Sequence, residues 1–186
     1  MQIKNLLIFV GLPGAGKGEA ARVAKMMGYR VFSFGNIIRE EARKKYHKVD
    51  KDSITRIANW FHSGREVLMI KKLNEIIKHT RTSKKFYILD GLRNPPQLSA
   101  LENICYKCRI VRITLPKTIR YKRQMVRHRA DVGTKDDQIA RDRRELNYGL
   151  DKIFQRAEKT FSNNCPKADF HAKIKKMIYG IEKSGF

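Results

Sequence analysis

The residues with the clearest chemical meaning form a glycine-rich segment near the start of the chain. They follow the pattern Gly11-x-x-x-x-Gly16-Lys17, which is that of a Walker A loop. Glycine lets successive backbone N–H groups point inward around phosphate oxygens, and the lysine side chain reaches the outermost phosphates as a point charge. The spacing therefore predicts a loop that holds the phosphate tail of ATP. We assign the phosphate contacts to Gly11, Gly14, Ala15, Gly16, Lys17, Gly18 and Glu19.

The segments on either side of this loop agree with that prediction. The apolar run 3–10 predicts a buried strand, and the alanine-rich segment 19–27 predicts a helix that ends at Gly28. The N-terminal end of such a helix favours bound phosphate because its N–H groups and dipole are positive there. The alternative is a glycine turn in an α/β protein that binds no nucleotide, and the strand and helix context disfavours it.

The position after Lys17 departs from the general Walker A pattern. Gly18 stands where a serine or threonine hydroxyl normally contacts Mg²⁺. A metal ion must therefore depend on phosphate oxygens, water and a carboxylate. Asp90 ends the apolar run 85–90, and we predict that it holds Mg²⁺ through water. Its alternative role is to cap the turn at Gly91.

Apolar runs alternate with helical patterns along the rest of the chain. Strands are predicted at 30–34, 85–90 and 109–115, with a weak one near 168–170. The alternation predicts a single domain over 1–186, a three-layer α/β/α fold with a parallel five-stranded sheet. Ligands bind such sheets at the carboxyl ends of the strands. Within this domain we expect an acceptor-binding helical insert at about 35–80 and a short lid at about 127–137.

The chain is strongly basic, with 41 Lys and Arg against 18 Asp and Glu and a net charge of +23. Such a charge attracts phosphorylated small molecules, RNA, DNA and acidic membrane surfaces alike, so it does not choose among them. Three cysteines do not indicate a disulfide framework, and the apolar start is too short to span a bilayer. We therefore expect a cytoplasmic protein without membrane association. Cys105-x-x-Cys108 with Cys165 suggests zinc, but two small residues entering a strand are the simpler account.

Four segments, in the same order along the chain, resemble those of adenylate kinases. The segment 11–18 shares the proline at the third position of the loop and the glycine after the lysine. The segment 33–39 resembles the acceptor-nucleotide segment, which implies that Ser33 and Arg39 contact a bound monophosphate. The segment 63–67 is similar to the Ser-Gly-x-x-Val turn of that family, which places Gly64 and Val67 at the acceptor.

The fourth segment resembles the Asp-Gly-x-Pro-Arg…Gln signature of the same kinases. It begins at Asp90 and Gly91, and the resemblance implies that Arg93 binds the acceptor phosphate and Gln97 its base. The proline before the arginine is missing here. In addition, Glu19 replaces the threonine that comes after Lys-Gly in the family.

The lid pattern of that family is matched more loosely. Arg123 and Arg127 keep the spacing of the two arginines at its base, and Asp136-Asp137 with Arg141 resemble the acidic pair and the distal arginine of the same pattern. Taken together, Gly-Lys-Gly-Glu, Asp-Gly-x-Arg-Asn-Pro and Arg-Asp-Arg-Arg-Glu resemble an archaeal-type group of adenylate-kinase-related proteins that is also related to dephospho-coenzyme A kinases.

The resemblance implies that the single domain has the P-loop kinase fold. It also implies phosphate transfer from ATP to a nucleoside monophosphate, with AMP as the leading acceptor and Mg²⁺ as the cofactor. An acceptor phosphate oxygen is already anionic, so catalysis needs positioning and positive charge rather than a general base. We assign the catalytic role to Lys17, Arg93, Arg123, Arg127 and Arg141. Arg129 and Arg144 are further cations that a solvated surface would equally explain.

Two other functions are compatible with the sequence. The acceptor could be dephospho-coenzyme A or another small phosphorylated molecule. The net charge also favours an ATPase that acts with nucleic acid or a ribonucleoprotein. No RNA-binding module is recognisable in the sequence, and the oligomeric state has no sequence signal.

Overall fold

A parallel sheet forms the centre of the structure, a computed structural model that describes residues 4–126 and 134–186. Within this part of the chain the strands are β1 Asn5–Val10, β2 Val31–Ser33, β3 Phe86–Asp90, β4 Cys108–Thr114 and β5 Lys159–Ser162. They lie in the order β2-β3-β1-β4-β5, and every pair is parallel. The first strand is therefore central, which explains its continuous apolar run.

Helices cover both faces of the sheet. They are α1 Lys17–Met26, α2 Phe34–Tyr46, α3 Lys51–Phe61, α4 Glu66–Lys78, α5 Pro95–Glu102, α6 Lys117–Val126, α7 Lys135–Asn147, α8 Leu150–Gln155 and α9 Lys167–Ser184. Successive side chains of β1 enter two separate cores. Leu6 and Ile8 pack with α2 to α5 and α8, whereas Leu7 and Phe9 pack with α1 and α9. The predicted three-layer fold with a five-stranded parallel sheet is confirmed.

The last strand lies at a different place from the one predicted. The weak strand expected near 168–170 is wrong, because these residues belong to the first turns of α9. Phe170, Ile174 and Ile178 are fully buried at helical spacing, so the segment buries its apolar side chains as a helix. The true edge strand, β5, has three exposed residues of four and carries no apolar alternation that would reveal it.

The helices α2, α3 and α4 fill the chain between β2 and β3, where the acceptor-binding insert is predicted. The residues 127–133 of the predicted lid lie outside the described part of the chain. The remainder of that range begins α7, where Thr134 and Asp137 form a capping box. Among the described residues, no helix combines the length and apolar character that crossing a membrane requires.

Candidate active site

The glycine-rich loop joins the end of central β1 to the start of α1. Gly11 and Gly16 both have positive φ angles, 151° and 112°. A Cβ atom on Gly11 would lie 2.3 Å from the carbonyl oxygen of Ile113 in β4, and one on Gly16 would lie 2.1 Å from Nδ2 of Asn163, after β5. The two glycines of the motif are therefore required by the close packing of the loop against neighbouring strands as well as by its backbone conformation.

Lys17 is the first residue of α1 and bends back over the loop. Its Nζ atom donates to the carbonyl oxygens of Gly11, at 2.6 Å, and Leu12, at 3.2 Å. Loss of surrounding water lowers the pKa of the Lys17 ammonium below its usual range, while the charges of Asp90 and Glu145 act in the opposite direction. The lysine charge is thus held at the place where the Walker A pattern predicts phosphate.

A cavity of about 390 Å³ opens beside the loop, at the carboxyl ends of the strands. Its lining comes from the loop, from α1, from β2 and the first half of α2, from the end of β3 and the segment after it, and from one residue each of α6 and α7. The predicted site positions among the lining residues are Gly14, Gly16, Lys17, Gly18, Ser33, Arg39, Asp90, Gly91, Arg93 and Arg141. Residues from distant parts of the sequence therefore meet where the sheet topology places ligands.

Four arginines line this cavity, and Arg22 of α1 is paired with Glu19. The other three come from α2, from the segment after β3 and from α7. Arg39 projects from α2 and donates to Oδ1 of Asn36 at 2.5 Å. Nε of Arg93 lies 2.9 Å from Oε2 of Glu145, and Nε of Arg141 lies 3.9 Å from Oε1 of the same carboxylate. Glu145 is only 3% exposed. This buried carboxylate, which we did not predict as a site residue, therefore orients two of the three arginines.

Several predicted residues do not reach the cavity. Gln97 is fully buried, and its Oε1 accepts from the backbone N–H of Arg93 at 3.0 Å while its Nε2 contacts Met69. Gln97 therefore supports the backbone of Arg93 instead of facing a base. Gly64 lies exposed between α3 and α4, Val67 lies exposed in the first turn of α4, and neither residue lines the cavity.

The remaining predictions divide between other contacts and the undescribed segment. Arg123 is 3.5 Å from the carbonyl oxygen of Asn163 and does not line the cavity. Arg127 and Arg129 fall outside the described residues. Ala15 is buried in the loop, where its carbonyl oxygen accepts from Asn163.

Glu19 turns away from the cavity towards α9. Its Oε1 is 2.7 Å from Arg22, 2.5 Å from Nε2 of His171 and 3.5 Å from Lys167. Hydrogen bonding from Arg22 and His171 lowers the pKa of Glu19 to about 2. The glutamate that replaces the threonine of adenylate kinases thus connects α1 to α9 and does not line the cavity.

A buried ion pair supports the phosphate loop from the outer side. Arg120 in α6 contacts both carboxylate oxygens of Asp142 in α7, at 3.0 and 2.6 Å, and also donates to the carbonyl oxygen of Pro13 at 2.8 Å. Tyr121 donates to the same carboxylate. Asp142 lies in the Arg-Asp-Arg-Arg-Glu segment that contributes to the resemblance, but that segment does not predict its contacts with α6, which depend on how the helices and the loop pack. Asn163 was missed for a different reason, since the strand before it was placed elsewhere.

A smaller cavity of about 90 Å³ adjoins the first and shares Arg39, Arg93 and Arg141 with it. It lies between the insert helices and α7, where Lys51 and Asp137 form an ion pair at 2.5 Å. Arg144 adds a further cation to its lining. The space next to the three arginines is therefore also basic in character.

His62 makes the stability of this region dependent on pH. Its ring stacks on Tyr148, its Nδ1 is 3.0 Å from Nδ2 of Asn94, and burial together with the charge of Arg93 lowers its pKa from 6.5 to about 3. Between these pH values the unfolded chain binds a proton that the folded protein excludes, so lowering the pH favours unfolding. We expect His62 to reduce the free energy of unfolding by about 1–2 kcal/mol between pH 7 and pH 5.

Urea unfolding at the two pH values measures this effect. His62→Gln should reduce the difference between pH 7 and pH 5, and the exposed His79→Gln should retain it. The ion pair at Glu19 does not interfere, because its stabilising contribution is lost only as the pH falls below about 4.5. An equal pH dependence in wild type and His62→Gln would show that this imidazole is not excluded from protonation.

The fold and the loop together define a class of protein, the P-loop kinases. Two solved structures share this fold along nearly their whole length. A shikimate kinase from Acinetobacter baumannii in complex with shikimate has a TM-score of 0.60 at 18% identity, covering 96% of this chain and 94% of its own. A dephospho-CoA kinase from Campylobacter jejuni has a TM-score of 0.55 at 18% identity, covering 97% and 98%.

Sequence comparison gives the family. A family model described as an AAA domain matches residues 10–141. A UPF0200 protein of Pyrobaculum aerophilum is 30% identical over 155 residues, covering 83% of this chain and 84% of that protein, and one of Pyrococcus horikoshii is 28% identical, covering 95% and 97%. The chain therefore belongs to this AAA-domain family and to the family of UPF0200 proteins. The predicted P-loop kinase fold, shared with a dephospho-CoA kinase, is confirmed.

Proposed function

We propose that this protein transfers the terminal phosphate of ATP to an anionic acceptor, a nucleoside monophosphate, with AMP as the first candidate. One observation carries the proposal: Lys17 and the arginines Arg39, Arg93 and Arg141 line one cavity beside the phosphate loop. The triphosphate of ATP and the phosphate of the acceptor repel each other when they are held end to end, and this cluster supplies the positive charge that offsets the repulsion. The cytoplasmic location remains a prediction.

The reaction follows from this charge distribution. An oxygen of the acceptor phosphate forms a bond to the γ-phosphorus of ATP, and the bond from that phosphorus to the bridging oxygen of ADP breaks. The attacking oxygen carries no proton at neutral pH, so no general base is needed. In our proposal Lys17 stabilises the outer phosphates of ATP while Arg39 and Arg93 hold the acceptor phosphate. Arg141 contributes charge between them.

The residues also fit a magnesium ion. Asp90 ends β3 next to Lys17 at the cavity, and Gly18 provides no hydroxyl at the position where the Walker A pattern has one. We propose that Asp90 holds Mg²⁺ through water, together with phosphate oxygens, which are the hard oxygen ligands that this ion prefers. When bound, the ion neutralises charge on the transferred phosphate.

A second acceptor class is favoured by a specific observation. Gln97, Gly64 and Val67, the residues implied for the acceptor base, do not line the cavity, whereas Lys51 and Arg144 line the basic space beside it. This arrangement fits an acceptor with additional negative charge, such as dephospho-coenzyme A. We rank it second because the match to the acceptor segments of adenylate kinases covers more of the lining.

One assay separates these acceptors. The protein is incubated with ATP and Mg²⁺, and ADP release is measured with each nucleoside monophosphate, with dephospho-coenzyme A and with RNA. The largest stimulation by AMP supports the proposal, and the largest stimulation by dephospho-coenzyme A selects the second candidate. Stimulation by RNA alone would overturn both and favour the nucleic-acid-associated ATPase.

Arg93→Lys tests the role of the acceptor arginine. A lysine keeps the charge but lacks the planar guanidinium group that binds two phosphate oxygens at once. The free energy of acceptor binding should therefore weaken by about 1.5–3 kcal/mol. We expect the KM for the acceptor to rise about tenfold to a hundredfold, with little change in the KM for ATP. Arg43→Lys, on the exposed face of α2, is the matched control and should leave both values unchanged. Equal KM values for wild type and Arg93→Lys would remove Arg93 from the acceptor site.

A further inference from the structure

Two cysteine thiols meet at the end of the sheet opposite the phosphate loop. Cys105 lies in the turn after α5, and Cys108 is the first residue of β4, paired in register with Leu6 near the start of β1. Their Sγ atoms are 2.7 Å apart, and both thiols are free. The sulfur–sulfur bond of a disulfide is about 2.05 Å long. A displacement of well under an ångström would therefore bring the two atoms to bonding distance.

The surroundings of the pair favour oxidation over metal binding. Within residues 4–126 and 134–186, no group of three or more His, Cys, Asp or Glu side chains is placed to hold a metal ion, whereas a structural zinc site takes four ligands. The third cysteine, Cys165, lies after β5, where its nearest polar contact is Lys173 at 3.7 Å. The zinc hypothesis for the three cysteines thus finds no shared site among the described residues.

The two thiols differ in accessibility. Cys105 is 3% exposed, whereas Cys108 is partly exposed. Tyr106, between them in the turn, is 71% exposed. A small reagent can therefore reach Cys108 first, while Cys105 stands behind it as the second thiol.

We propose that Cys105 and Cys108 form a reversible disulfide by exchange with a small-molecule disulfide such as oxidised glutathione. Cys108 loses its proton and its sulfur attacks one sulfur of glutathione disulfide, which releases one reduced glutathione. Cys105 then loses its proton and attacks the sulfur of Cys108 in the mixed disulfide, which releases the second. The two protein thiols are oxidised, and one glutathione disulfide is reduced to two thiols.

This disulfide would fix the connection between α5 and the sheet. The N–H of Cys105 donates to the carbonyl oxygen of Leu101 at the end of α5, and the N–H of Leu6 donates to the carbonyl oxygen of Lys107. The turn is thus already held at both ends in the reduced protein.

Counting thiols tests the proposal directly. The full chain is incubated with oxidised or reduced glutathione, and the reaction is quenched in acid. The protein is then unfolded and alkylated with N-ethylmaleimide, and its mass is measured by mass spectrometry. With oxidised glutathione we expect the alkylated thiols to fall from three to one without added glutathione mass. Cys165→Ser, the matched control, should fall from two to none in the same way.

Variants that lack one cysteine of the pair test the order of the two exchange steps. Cys105→Ser should accept glutathione at Cys108 and retain it, because no second thiol can release it. Cys108→Ser should form no intramolecular disulfide. A wild-type chain that keeps three alkylatable thiols, or that retains glutathione as Cys105→Ser does, contradicts the proposal. Loss of thiols that disappears in Cys165→Ser would also contradict it, since it would show pairing through Cys165.

Discussion

Lys17→Ala is expected to lower the rate of ATP turnover by about a hundredfold to a thousandfold. The ammonium group lies over the phosphate loop within 2.6 Å of the carbonyl oxygen of Gly11. In the alanine variant this cation no longer stabilises the negative charge that develops on the transferred phosphate. No other lysine of the cavity lining lies at the start of α1 to replace it. Steady-state ADP release at saturating ATP measures the effect.

The fold of the Lys17→Ala variant should survive, because the alanine removes a charge that burial already disfavours. Thermal unfolding checks this point. Lys78→Ala, at the exposed end of α4, is the matched control and should keep wild-type turnover. If Lys17→Ala retains turnover within about threefold of wild type, the phosphate loop does not carry the reaction and the proposed function fails.

Asp142→Ala is expected to be the most destabilising of these substitutions, by about 3–5 kcal/mol. It leaves Arg120, which is 3% exposed, with a buried charge and without its bidentate partner. It also removes the acceptor of Tyr121. Urea unfolding at neutral pH gives the free energy, and the melting temperature should fall with it.

Two variants isolate the cause of that loss. The double variant Arg120→Met with Asp142→Leu replaces both charges by apolar side chains and should recover much of the stability. Asp136→Ala, on the exposed first turn of α7, should lose less than about 1 kcal/mol. If Asp136→Ala and Asp142→Ala reduced the free energy of unfolding by similar amounts, the buried ion pair would contribute no more to stability than a surface carboxylate does.

The parts of the fold that were predictable have strong local signals. The apolar run of β1, the glycine pattern and the alanine-rich α1 can each be recognised from a few consecutive residues. The edge strand β5 has no such signal, because three of its four residues face solvent. It is specified by its pairing with β4, from Val111 opposite Lys159 onwards, which is a contact between distant parts of the chain.

The candidate site divides in the same way. Motif spacing predicted Lys17, and the resemblance to adenylate kinases predicted Arg39 and Arg93. All three line the cavity. The Arg-Asp-Arg-Arg-Glu segment contains Asp142 and Glu145 but does not predict their partners, and no local pattern indicates Asn163. Each of the three acts on a loop or side chain far away in sequence. Resemblance to adenylate kinases also predicted contacts for Gln97, whose side chain is instead enclosed behind Arg93. Such residues depend on how helices pack, which spacing alone does not specify.

Glu145 gives the arginines of the cavity a resident counter-ion. Any anion that arrives there exchanges one carboxylate partner for another, so its net gain in free energy is smaller than it would be from an isolated guanidinium group. In a phosphotransferase this moderates how tightly the product is retained. The buried carboxylate of Glu145 would then promote turnover in two ways. It would speed the release of the product, and it would keep the guanidinium groups of Arg93 and Arg141 oriented for the next substrate.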